Sequence, residues 1–163
     1  MPRCARSPRS STRAASSAGS TTRRSRAAAA SRDADNLGAV LVAELELRGP
    51  SRLDWFERTW LSGTGRSLPE LQAALQALSV QGGADAAVPR ARVVGAYRGF
   101  VRSGHALAGY PALDLLSWRA WDAVPDYVAL LRARTPQHPA SVYAILAYLD
   151  GAPRPVAALS SRP

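Results

Sequence analysis

Two histidines, twelve carboxylates and one cysteine are the side chains on which metal, acid–base or nucleophilic chemistry could rest in this chain. His105 follows Gly104 at the end of a helical pattern, and His138 lies between Gln137 and Pro139 in a turn. Neither has an Asp, Glu or Cys at ligand spacing and the two do not share a helical turn, so no metal centre is expected. Helix-terminus charge and N-capping are the expected roles of the two imidazoles. Cys4 stands alone, which excludes an intrachain disulfide and a cysteine-based zinc cluster. The sequence contains no H-E-x-x-H, G-x-S-x-G, P-loop or dinucleotide fingerprint. Gly63-x-Gly65-x-x-x-Pro69 follows a helix instead of a strand, which removes the setting of a phosphate cradle and leaves a linker. No catalytic residue, metal or cofactor is expected, and the chain reads as non-enzymatic.

The carboxylates sort by their surroundings. Asp122 and Asp126 are four apart in a first helical turn, where acids cap free N–H groups and favour the helix dipole. Asp114 lies among Leu113, Leu115 and Leu116 and shares a helical face with Trp118 and Trp121. A buried acid there must be paired, with Arg98, Arg102 or an indole N–H as the expected partner, so Asp114 is read as a structural acid. On that reading Asp114→Ala costs ~2 to 5 kcal/mol, against ~0.5 to 2 kcal/mol for a capping Asp126. The four tryptophans form two pairs, Trp55 with Trp60 and Trp118 with Trp121. Core packing accounts for most of them, with Phe56 and Trp60 inward. Trp55, Arg58 and Trp121 are the candidate partner surface, because aromatic and guanidinium groups side by side can bind a peptide or a nucleic acid.

All 21 basic residues are Arg, and Ile145 and Asn36 are single occurrences, a bias typical of a GC-rich and so bacterial genome. The net charge of +9 is unevenly placed. Residues 1–32 hold eight Arg and no acid, whereas residues 33–163 hold 13 Arg against all 12 acids. The stretch 1–36 mixes Arg, Ser, Ala, Thr and Pro with no large apolar residue after Met1, and is expected to be a disordered basic tail. Nucleic acid, bound nonspecifically through Arg23, Arg24 and Arg26, is one partner consistent with it. Arg23-Arg24 precedes no apolar region of the length an export signal needs, and no apolar run approaches the ~18 to 20 residues of a membrane span, so a cytoplasmic location is expected.

These residues must be positioned by helices. Ala and Leu are abundant, β-branched residues are scarce, and the 163 residues allow about one domain. Apolar periodicity starts at Leu37, so residues 37–163 are expected to form a single all-α domain. Leu37, Val40, Leu41 and Leu45 mark the first helix, ended by Gly49-Pro50. Ser51 to Asp54 and Ser67 to Glu70 have the shape of capping boxes opening the second and third. The stripe Val93, Val94, Tyr97, Phe100 and Val101 makes a fourth, and Pro111 to Trp118 a fifth. The sixth is capped by Asp122, and the last runs from Val142 through Leu149. Seven short antiparallel helices, consecutive ones packed together, make a HEAT-like repeat or an irregular bundle.

The run Leu107-Ala-Gly-Tyr110, Asp114-Leu-Leu-Ser-Trp118, Trp121-Asp-Ala-Val and Tyr127-Val-Ala-Leu-Leu131 resembles the C-terminal helical region of bacterial proteins with HEAT-like repeats. The resemblance spans about residues 53–152 and implies an α-helical repeat that serves as an interaction or scaffold module for a protein partner. It implies no catalytic residue.

Overall fold

The fold is seen in a computed structural model that describes residues 36–62 and 65–153. The Arg-rich stretch, with Arg23, Arg24 and Arg26, and the last ten residues lie outside the described residues. Each expected helix has a counterpart: α1 (36–48), α2 (Leu53–Phe56), α3 (Leu68–Gln81), α4 (Arg90–Arg102), α5 (Ala112–Ser117), α6 (Val124–Arg132) and α7 (Pro139–Gly151). No strand occurs among the described residues.

Helix starts show which local signals were decisive. Ser67 caps α3 through a complete box: its Oγ accepts the Glu70 N–H at 3.4 Å, and the Glu70 carboxylate accepts the Ser67 N–H at 2.8 Å. The hydrogen bonds that the carboxylate accepts, from the Ser67 N–H and from the Ser67 hydroxyl, hold it below the usual carboxylate range. The box expected at Ser51 does not form. Gly49, with φ +65°, turns the chain into a 3-10 turn over Gly49–Arg52, and Ser51 donates to the Arg48 carbonyl at 3.1 Å. Ser51 therefore sits inside a helical turn instead of before one. Ser67→Ala is expected to lower stability by about 1 kcal/mol and Ser51→Ala by under about 0.5 kcal/mol in urea unfolding.

Asp122, expected to cap α6, lies inside the 3-10 turn Trp121–Ala123, and the cap position falls to Ala123, which has no capping side chain. The break before it is a Schellman turn without glycine. Ala120 N–H reaches the Leu115 carbonyl at 2.9 Å, Arg119 N–H reaches Leu116 at 3.0 Å, and Arg119 takes the left-handed conformation at φ +54°. α2 continues directly into a π turn over Glu57–Leu61, with Leu53, Phe56 and Leu61 buried.

One apolar cluster runs through all the helices, from Leu41 and Leu45 of α1 to Ile145 and Tyr148 of α7. Val40, expected on the inner stripe, points outward. Among α2 to α7 the broadest helix seams join α5 to α7 and α4 to α6, elements two apart in the chain, with narrower seams between α3 and α4 and between α6 and α7. Consecutive packing is thus only part of the arrangement, because the compact turn 118–123 carries α6 past the six-residue α5 onto α4. Gln81, fully buried at the end of α3, donates to Glu46 of α1 at 2.7 Å and accepts the Val88 N–H at 3.3 Å, which ties three segments together.

Candidate functional site

The turn between α4 and α5 shapes a groove against α7. His138 caps α7 by accepting the Ala140 N–H on Nδ1 at 3.3 Å, while its backbone N–H donates to the Ala106 carbonyl at 3.1 Å. His105 accepts the Leu107 N–H on Nδ1 at 3.1 Å and leans on the Phe100 ring, with centroids 5.5 Å apart. Both histidines are structural in their hydrogen bonding, and His138 has the capping role expected of it. Gly109 packs directly on the Ser141 backbone, where a Cβ would come within 2.7 Å of the Ser141 Cα.

The resulting cavity, about 620 Å³, lies among α3, α5 and the start of α7. Gln72, Gln76 and Ser79 of α3 line one side, and Tyr110, Leu113 and Asp114 line another. The spacing of Gln72, Gln76 and Ser79 places them on one face of α3, beside the row of buried Leu71, Leu75 and Leu78. In sequence such a stripe reads as solvated surface, which is why these residues were not expected in a site. A second, shallower cavity of about 390 Å³ is lined by Leu116, Arg119, Trp121, Gly151 and Pro153.

Asp114 of α5 meets α4 through Tyr97, and not through the expected arginines or an indole N–H. The Tyr97 hydroxyl donates to its Oδ2 at 2.8 Å, with the Leu75 carbonyl at 3.2 Å as a second acceptor in reach. Burial and the neighbouring Asp114 charge both push the Tyr97 phenol far above its ordinary value. The Tyr110 phenol is raised in the same way, by burial first and then by Asp114. Arg98 and Arg102, the expected partners of Asp114, instead reach Asp126 at 2.6 Å and 3.5 Å. That corrects Asp126 as well: its side chain, 10% exposed, bridges α6 to α4 instead of capping its own helix. The hydrogen bond to Asp126 raises the Arg98 guanidinium above its usual value. Truncating Asp126 leaves Arg98 without its acceptor, whereas truncating Asp114 leaves Tyr97 the Leu75 carbonyl. Urea unfolding is expected to show Asp126→Ala costing about 2 kcal/mol and Asp114→Ala about 1 kcal/mol, the reverse of the order read from sequence.

The tryptophans divide along similar lines. Trp118 stacks on Tyr97, with centroids 5.8 Å apart and planes within 3°, and packs against the bare Cα of Gly82. Trp121 leans on Tyr148 at 5.4 Å. Phe56 is buried as expected and Trp60 half-buried. Of the expected partner surface, Trp55 is half-buried beneath the Arg52 guanidinium, 3.7 Å from its ring centroid, Arg58 is exposed on the π turn that follows α2, and Trp121 lines the shallow cavity. Trp55 and Arg58 do not line the groove.

No known protein family, curated protein or solved structure matches the chain. No described helix is long and apolar enough to cross a membrane.

Proposed function

We propose that this chain is a non-enzymatic helical interaction module of the cytoplasm that takes an extended segment of a partner protein into the groove among α3, α5 and α7. The observation that carries the reading is the two-sided chemistry of the groove. The amides of Gln72 and Gln76 and the hydroxyl of Ser79 offer donors and acceptors to a peptide backbone, while Leu107, Leu113 and Ala144 offer apolar contact to its side chains. The volume falls within the range of ligand sites, ~300 to 1,000 Å³. Seams between helices two apart also occur where helical pairs stack, so they are compatible with a HEAT-like arrangement.

A photo-crosslinking residue placed at Leu113 in the groove, and at Leu47 on α1 as a control, tests this in the native cell. Leu47 is 86% exposed and Leu113 56%, so both positions accept the substitution. A protein captured at position 113 and absent at 47 is the expected result. The same products from both positions would overturn the groove as the docking site.

A second reading has its own support in the eight arginines and absence of acids in residues 1–32. Nucleic-acid binding through Arg23, Arg24 and Arg26 is expected to be weak, blind to sequence and steeply salt-dependent. Replacing the three with alanine should abolish most binding at low salt; unchanged affinity would end this reading.

A further inference from the structure

Asp114 is the one carboxylate lining the groove, and no cation pairs with it among the described residues. Its orientation is set by the chain: Tyr97, anchored in the core and stacked on Trp118, holds Oδ2. Oδ1 has no hydrogen-bond partner among the described residues. Around this acid the groove adds further acceptors, the side-chain oxygens of Gln72, Gln76 and Ser79 on α3, which can turn toward a donor. Tyr110 adds a half-exposed ring beside the acid.

We infer that the groove selects a partner segment carrying an arginine, whose guanidinium pairs with Asp114 and packs on the Tyr110 ring. The inference rests on the peptide-groove reading above and names what that groove recognises. A guanidinium fits the arrangement better than an ammonium. Its five donors can use the carboxylate and the surrounding amide oxygens together, and its plane can lie on an aromatic face. This chain already places arginines in that way at Trp55 and at Trp60, 3.7 Å and 4.3 Å from the ring centroids.

The test uses the full chain and four blocked pentapeptides with alanine at every position except the centre, which is arginine, lysine, citrulline or alanine. Amide chemical shifts report both affinity and place. The arginine peptide is expected to shift resonances of Gln76, Tyr110 and Asp114. Citrulline, which keeps the shape and removes the charge, is expected to weaken binding at least tenfold, and lysine at least threefold. Asp114→Asn, which keeps an acceptor for Tyr97, is expected to weaken the arginine peptide at least tenfold and leave the alanine peptide unchanged. Should Asp114→Asn fail to fold, Gln76→Ala and the citrulline comparison carry the test. Groove shifts that are equal for all four peptides would overturn arginine selection and leave the peptide reading standing. Absence of groove shifts with any peptide would overturn both. A tenfold gain in affinity when Arg23, Arg24 and Arg26 are replaced by alanine would overturn the partner as occupant, assigning the groove to the chain's own basic segment.

Discussion

Gly109→Ala is expected to destabilise the protein by about 3 to 5 kcal/mol, because the added methyl would collide with backbone and not with a side chain that can turn aside. The Cβ would overlap the Ser141 carbonyl oxygen and lie 2.6 Å from the Ser141 Cβ. Relief requires the turn before α5 to separate from α7. That separation breaks the hydrogen bond from His138 N–H to the Ala106 carbonyl and opens the α5–α7 seam. Gly95→Ala and Gly99→Ala are the controls. Both sit in α4 with nothing within 4 Å of the new methyl, so each is expected to stabilise by about 0.5 to 1 kcal/mol through helix propensity. Thermal unfolding of the three variants checks the contrast. A Gly109→Ala midpoint close to that of wild type would show that the turn does not rest on α7 as described.

Alkali is expected to unfold the protein cooperatively from about pH 10 upward. Three buried tyrosines carry their hydroxyls in the interior: Tyr97 on Asp114, Tyr127 on the Ala108 carbonyl at 3.1 Å, and Tyr148 on the Ala120 carbonyl at 2.6 Å. Burial pushes Tyr148 up to about 12 and the other two further still, with Asp114 adding to the rise at Tyr97. A phenol raised in the folded state contributes stability that is whole below its unfolded value of about 10 and is lost as pH climbs toward the folded value. Tyr97 and Tyr127 together are expected to withdraw about 3 kcal/mol by pH 11, about 1.4 kcal/mol each. Tyrosinate absorbance and helical circular dichroism should therefore change together. Tyrosines ionising in the normal range while the helices persist would contradict their burial. Tyr97→Phe should make the loss less steep.

How much of this was legible in the sequence follows from the range of the interactions concerned. Helix positions rest on spacings of three and four and on turn residues a few positions away, and the stripe at Val93, Tyr97 and Phe100 is buried as its spacing requires. The Ser67 box and the His138 cap are equally local, satisfied within three residues. Ser51 shows the limit of the same signal. Four residues matched the capping pattern, but the left-handed Gly49 two positions earlier had already begun a helical turn.

Pairing across helices was beyond any local signal. The sequence by itself determined that Asp114, set among leucines, needed a partner, since a carboxylate taken from water must be satisfied. Only the tertiary structure decided that the partner is Tyr97 and that Arg98 and Arg102 belong to Asp126, because the α4–α6 and α5–α7 seams fix which side chains on α4 face which acid. The groove was decided in the same way. Gln72, Gln76 and Ser79 are, along α3, an ordinary polar face, and they become the wall of a cavity only where α5 and α7 rise opposite them. Local periodicity specifies which face of a helix turns inward, while the angle and order in which helices meet depend on close contacts such as Gly109 on Ser141 and Trp118 on Gly82, made between residues 32 and 36 positions apart.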